Sequence, residues 1–206
     1  MIPIRPKHNF NGFTLVELLV ALMVVSIIFT AVATLAYTLG AVNDAANDMA
    51  EKQAQVRYAS LRISELIRHC KLICSTPGDN LAVWRADDNK DGQININELV
   101  YIEKGADSNY LRLCVFPPSD ASPVNLSGIK TLATSGYSVT YMPLIPQCSN
   151  VEFRFDVLPP RSRFVSISFD LVENDAARQY QISAALRGWA GHLLNEAGDA
   201  IVSDDD

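Results

Sequence analysis

Gly12-Phe13-Thr14-Leu15-Val16-Glu17-Leu18-Leu19-Val20 opens an apolar run that reaches Leu39, and its single acid decides how the rest of the chain reads. After Glu17 no charged residue appears until Asp44. The 27 residues from Phe13 to Leu39 make about 40 Å of helix at about 1.5 Å each. About 20 apolar residues cross a bilayer core, so the run predicts a membrane-spanning helix. A carboxylate in hydrocarbon is costly, and an acid kept there points to a function. Arg5, Lys7 and His8 precede the run and acids follow it, which predicts a cytoplasmic N-terminus and an outward-facing remainder. A secretory signal has a shorter apolar region, about 7–15 residues, with a small-residue cleavage site behind it. Here the run is longer than that, which suits a helix kept in the mature chain.

Beyond Gly40 the polarity changes at Asn43, Asp44, Asn47 and Asp48, which marks the membrane exit. The helical pattern continues. Met49, Val56, Ile63 and Cys70 recur every seven residues, and Ala59, Leu66 and Ile67 fill the same stripe. No proline stands between Pro6 and Pro77. One helix is therefore expected from about Phe13 to about His69, membrane-spanning in its first half and amphipathic in its second, with Thr76-Pro77-Gly78-Asp79 as the stop. A seam this short packs against a sheet more readily than it forms a coiled coil.

After Pro77 the period becomes alternating. Val151, Phe153, Phe155 and Val157 form one apolar set, Val165, Ile167, Phe169 and Leu171 a second, and Tyr180, Ile182, Ala184 and Leu186 a third. Short Pro159-Pro160 and Asn174-Asp175 links favour antiparallel neighbours. Leu81–Trp84, Leu99–Lys104 and Tyr110–Phe116 are earlier strand candidates, and Pro117–Pro146 reads as a long irregular surface excursion. The expected fold is α+β: a long N-terminal helix packed on an antiparallel β-sheet. The expected segments are a leader at 1–12, a transmembrane helix at 13–39, a helical stem at 40–75 and a β-rich domain at 76–206.

The N-terminal residues closely resemble the cleavage and methylation signal of type IV pilins and type II secretion pseudopilins. The resemblance covers about the first 60 residues. It makes Gly12 the residue before the bond cut by prepilin peptidase and Phe13 the N-methylated mature terminus. Leu15, Val16 and Leu18 match the family's apolar positions. Glu17 matches the acid that pairs with the terminal amine of a neighbouring subunit during assembly. The resemblance also implies a pilin-like helix-then-sheet fold, partners among other pilin subunits and an inner-membrane assembly platform, and residence in the inner membrane before assembly. The stretch from Gln55 to Arg68 is more similar to minor pilins and pseudopilins than to major ones.

Asp87-Asp88-Asn89-Lys90-Asp91-Gly92-Gln93-Ile94-Asn95-Ile96-Asn97-Glu98 fits the twelve-position calcium loop of EF-hands. Asp87, Asn89 and Asp91 supply oxygens two residues apart, Gly92 permits the sharp turn, Gln93 offers its carbonyl, Asn95 acts through water and Glu98 binds with both oxygens. The flanks are strand-like, so the expected role is a structural calcium ion clamping a loop rather than a helix-opening sensor. The alternative is a polar hairpin connection in which Asn and Asp-Gly serve turn chemistry.

Cys70, Cys74, Cys114 and Cys148 all lie on the side expected to be exported. Four cysteines allow three pairings, and bridges from Cys70 and Cys74 to Cys114 and Cys148 would pin helix to sheet. Buried free thiols are the competing reading. Zinc through Cys70, Cys74 and His69 has loose spacing and no second close pair. No nucleophile elbow, phosphate loop or HExxH pattern accompanies His69 or His192, so no enzymatic activity is expected. Trp84 and Trp189 read as packing residues. The net charge is −6, or −8 for a chain beginning at Phe13 with 15 basic and 23 acidic side chains. That balance speaks against a nucleic-acid partner.

These features converge on a minor pilin or pseudopilin. The competing expectations are a pilus-tip adhesin that binds through Pro117–Pro146 and a monomeric membrane-anchored calcium-binding protein.

Overall fold

The computed structural model describes residues 14–202 except 106, 175 and 189, so Gly12, Phe13 and Trp189 lie outside the described residues. The chain forms two units, Met1–Asn47 and Asp48–Asp206. Helix α1 (Leu15–His69) contributes to both.

In the first unit every residue from Thr14 to Asp44 is exposed. The exposed side chains include Leu18, Leu22, Ile27, Phe29 and Leu35. By length and composition this helix can cross a membrane. Its serine and threonine hydroxyls are satisfied within the helix, as hydrocarbon favours. The hydroxyls of Ser26, Thr30, Thr34 and Thr38 donate to the carbonyls of Met23, Ser26, Thr30 and Leu35 at 2.8, 2.8, 2.8 and 2.9 Å.

In the second unit the stem is amphipathic. Ala59, Ile63 and Ile67, spaced by four, are fully buried, and Val56 and Leu66 pack beside them. Tyr58 and Leu61 face outward. The helix ends at His69, but the Thr76–Asp79 turn is not what ends it. Residues Leu72–Ser75 already form strand β1, inside the stretch expected to be stem. The reason is tertiary: the Lys71 N–H donates to the Trp84 carbonyl at 2.9 Å, and the Arg68 carbonyl accepts the Arg187 N–H at 3.1 Å. Apolar strand-forming residues then find a sheet edge to join. Gly78 and Asp79, at φ 53° and 65°, turn the chain onward.

Strands β1, β2 (Leu81–Trp84), β3 (Leu99–Lys104), β4 (Leu111–Val115) and β5 (Thr140–Ile145) form one antiparallel sheet in that order. Strands β6 (Ser149–Phe155), β7 (Phe164–Glu173) and β8 (Ala176–Ala185) form a second, also antiparallel. The single sheet expected from the sequence is therefore two. Pro146, which has no N–H to give, stands where the first sheet ends and separates β5 from β6.

The excursion at 117–146 is also more ordered than its composition implies. It contains β5, in which Pro143 is tolerated because the strand is an edge. It also contains the short helix α2 (Leu126–Ile129), whose Leu126 and Ile129 are buried. Tyr101 and Phe116 meet edge-to-face at 5.2 Å, Phe116 and Tyr137 at 5.4 Å. The excursion thus covers one face of β3, and Leu99, Val100, Tyr101 and Ile102 are at most 4% exposed. A strand buried on both faces reads as a continuous apolar run, as Leu-Val-Tyr-Ile does. In β7 the predicted alternation holds: Val165, Ile167, Phe169 and Leu171 are buried, while Ser166, Gln181 and Ser183 hydrogen-bond to one another. Val157, expected in the first apolar set, lies past the end of β6 and is exposed.

Candidate functional site

The start of α1 positions Glu17 through Thr14. The Thr14 N–H and hydroxyl both donate to Glu17 Oε2 at 2.9 Å, and the Glu17 N–H donates back to Thr14 Oγ1 at 3.3 Å. This reciprocal cap satisfies helix-terminal donors and places a carboxylate where the helix dipole favours negative charge. Glu17 Oε1 has no partner among the described residues and is free to meet a cation. Thr14 was not singled out in the sequence as a cap, although its Thr-x-x-Glu spacing signals one. The processing residues Gly12 and Phe13 lie outside the described residues.

The loop between β2 and β3 gathers the second set. Asp87 is nearly buried, its side chain 5% exposed, and stands 4.0 Å from Lys71 Nζ. Its Oδ1 accepts the Asp91 N–H at 3.2 Å and its Oδ2 the Gly92 N–H at 3.1 Å. Asn89 Oδ1 also accepts from the Asp91 N–H, at 3.2 Å. Asp91 Oδ1 accepts the Gln93 N–H at 2.8 Å, and its Oδ2 accepts the Asn89 and Asn95 amides at 2.7 and 3.1 Å. The Asn95 amide, then the Gln93 N–H, hold the Asp91 carboxyl below its ordinary value. Lys90 and Gly92 sit in left-handed backbone, at φ 60° and 68°, so the glycine at the sharp turn does what its position predicts.

Glu98 is placed differently from the rest of the set. It is 1% exposed and lies beneath the loop. Its Oε2 accepts the Trp84 indole N–H at 3.1 Å and the Asn95 N–H at 3.2 Å, and its Oε1 accepts the Asp88 N–H at 2.8 Å. Asn95 and Glu98 form a capping box on the single turn Ile96–Glu98. Five of the six expected ligands are thus joined in one hydrogen-bonded turn, and the sixth closes the loop from below. Among the described residues no three His, Cys, Asp or Glu side chains form a metal-holding group. A cation here would depend on the oxygens of Asn89, Asn95 and Gln93 beside the Asp87 and Asp91 carboxylates.

The bridges weighed for the cysteines are not formed: all four are free thiols, with Cys70, Cys74 and Cys114 buried and Cys148 half-buried. Burial pushes the Cys70 and Cys114 thiols up to about 12 and that of Cys148 to about 11. The Cys70 thiol donates to the Ile67 carbonyl at 3.2 Å, so it behaves as a core residue. Trp84 is fully buried, and its indole serves Glu98 as well as the core. His69 closes the last turn of α1, and His192 is exposed.

Comparison with known proteins bears on the first of these sites. No curated protein and no solved structure matches the chain. Residues 7–33 match the model of the prokaryotic N-terminal methylation motif. That motif implies processing by prepilin peptidase and assembly with other pilin subunits, and it marks a structural class rather than an enzyme class. Motif, capped acid and exposed apolar helix coincide on the same residues, and the chain therefore carries the N-terminal signal of the type IV pilins and pseudopilins.

Proposed function

We propose that the chain is a minor pilin or pseudopilin: a structural subunit with no enzymatic activity of its own. It is held in the inner membrane by residues 13–39 with its N-terminus cytoplasmic and its remainder outward. It is cut after Gly12, methylated on Phe13 and passed by the assembly platform into a filament. The observation that carries this reading is Glu17, capped by Thr14 at the head of an exposed apolar helix with one carboxylate oxygen unpartnered. A carboxylate and a neighbour's terminal amine are each costly in lipid and tolerable as a pair. Mass spectrometry of the mature N-terminus tests it: methyl-Phe13 is expected, and a chain still beginning at Met1 overturns the reading. Glu17→Ala is expected to abolish incorporation into the filament, and normal incorporation removes the assembly role from that acid.

We also propose that the 87–98 loop takes a structural calcium ion. The oxygen-only donors Asp87, Asn89, Asp91, Asn95 and the Gln93 carbonyl suit a hard cation, and all five lie in one turn. Calcium would hold the loop against the sheet, and a dissociation constant of about 10⁻⁴–10⁻³ M suffices where calcium is plentiful. Thermal melts with calcium and with chelator test it, and identical melts refute it.

A further inference from the structure

Both sheets are open, so four strands carry an unpaired edge: β1, β5, β6 and β8. Edges invite pairing with other chains, and proteins blunt the ones they do not use. Three of the four are blunted. β1 has four residues and an irregular register. β5 carries Pro143 and also an irregular register. β6 has a register shift, Asn150 at φ 54°, and the charges of Glu152 and Arg154. β8 has neither a short length, a register shift, a proline nor a left-handed residue. It runs ten residues, Ala176–Ala185, paired to β7 without a shift, has no proline, and carries Arg178 as its one charge. Among the described residues no other helix or strand runs along it, and no backbone hydrogen bond takes up its outward N–H and C=O groups.

A second observation lies at the C-terminal end of this edge. Arg68, His69, Ala185 and Arg187 line a cavity of about 350 Å³, to which β7 contributes nothing. Arg112, Arg154 and Arg178, whose side chains rise from the strands themselves, have acids beside them: Glu103, Glu152 and Glu173. The Arg68 and Arg187 side chains have no acid partner among the described residues, in a chain of net charge −6. Two arginines lining one cavity favour an anion there.

We propose that the free edge of β8 receives an extended segment of another polypeptide, which pairs with it antiparallel and places an acidic side chain in the cavity between Arg68 and Arg187. Backbone hydrogen bonds would supply affinity and the acid would set register. The segment faces the uncharged row Ala177, Gln179, Gln181, Ser183 and Ala185 on the solvent side, so its own outer face should be neutral and polar. A second copy of β8 does not meet these requirements. Residues 176–185 hold no acid, so both cavities would stay unfilled, and a two-fold pair closes on itself. The inference stands apart from the pilin reading, since a chain never cut at Gly12 still presents this edge.

The test uses the full chain in detergent micelles and blocked ten-residue peptides of alternating Thr and Val, labelled for fluorescence anisotropy. One peptide carries Glu near its N-terminus, where antiparallel pairing brings it to Arg187, and another carries Gln there. The Glu peptide is expected to bind about tenfold more tightly than the Gln peptide. The Arg68→Ala, Arg187→Ala double variant is expected to remove that difference. N-methylation of alternate peptide residues, which leaves the protein untouched, is expected to abolish binding of both. No saturable binding up to about 1 mM, or equal binding of the N-methylated peptide, overturns the proposal. So does efficient disulfide cross-linking of two Gln181→Cys chains through this edge, which would assign it to a second copy.

Discussion

Glu98→Ala separates the two roles that the 87–98 loop can give this acid. The carboxylate accepts from the Trp84 indole, the Asp88 N–H and the Asn95 N–H. Trp84 and Asn95 are at most 2% exposed, so water cannot replace the acceptor for those two donors without entering the core. Each buried donor left unsatisfied costs about 1–3 kcal/mol. The Asp88 N–H lies nearer the surface, where water can take over. The expected loss from the two donors is therefore about 2–6 kcal/mol, with a fall in melting temperature of roughly 10 °C for a unit of this size. Denaturant unfolding of the second unit in excess chelator measures it, because chelator removes any contribution from calcium. If Glu98 serves only as a metal ligand, the variant in chelator will match the parent. A loss below about 0.5 kcal/mol, the scatter of ordinary surface substitutions, would refute the loop-closing argument. Repeating the measurement in calcium, with Asp91→Asn alongside, reports the metal's share separately.

Other predictions follow from the packing and electrostatics. Ile63→Ala, at a fully buried stem position, is expected to cost about 2–5 kcal/mol. Leu61→Ala on the exposed face should cost under about 0.5 kcal/mol by the same unfolding assay. Burial is the largest single influence on the Asp156 carboxyl and raises it, but the Ser162 hydroxyl and backbone N–H groups, those of Arg163 and Phe164 among them, together outweigh it and hold the group below its ordinary value. A depressed carboxylate stabilises the fold above its unfolded pKa, and that contribution is lost as pH falls through the folded pKa. Unfolding midpoints taken downward from about pH 5 should therefore fall less steeply in Asp156→Asn than in the parent. In the native chain Cys148 should be alkylated before Cys70, Cys74 and Cys114, because it is half-buried and they are buried. Peptide mass spectrometry after timed alkylation reads the order, and faster modification of Cys74 would contradict the packing.

The parts of this fold that were legible in the sequence are those governed by local periodicity. The unbroken apolar run, the seven-residue recurrence through Ile63 and the absence of proline placed α1 and its end near His69. Strict alternation in Val165–Leu171 placed β7 and its buried face. Other features were decided by contacts between distant residues. Leu72–Ser75 could have continued the stem, and it became β1 because the Lys71 N–H and the Arg68 carbonyl found partners at Trp84 and Arg187. Pro143 made Thr140–Ile145 look like a break in the pattern, and an edge position made it a strand. The Pro117–Pro146 composition signalled a loop, but Tyr101 and Phe116 gave its apolar residues a surface to cover.

The same division runs through the candidate sites. A motif of consecutive residues is complete in the sequence, so Gly12-Phe13-Thr14-Leu15-Val16-Glu17 by itself determined the signal class, and the apolar run to Leu39 a helix long and apolar enough to cross a membrane. The loop's Asp, Asn and Gly spacing likewise determined a tight polar turn. Only the tertiary structure decided that Glu98 turns beneath that loop to Trp84, that the four cysteines remain apart as thiols, and that no helix or strand among the described residues runs along the outer side of β8. Each of these depends on which surfaces meet across the fold, and local sequence carries no term for that.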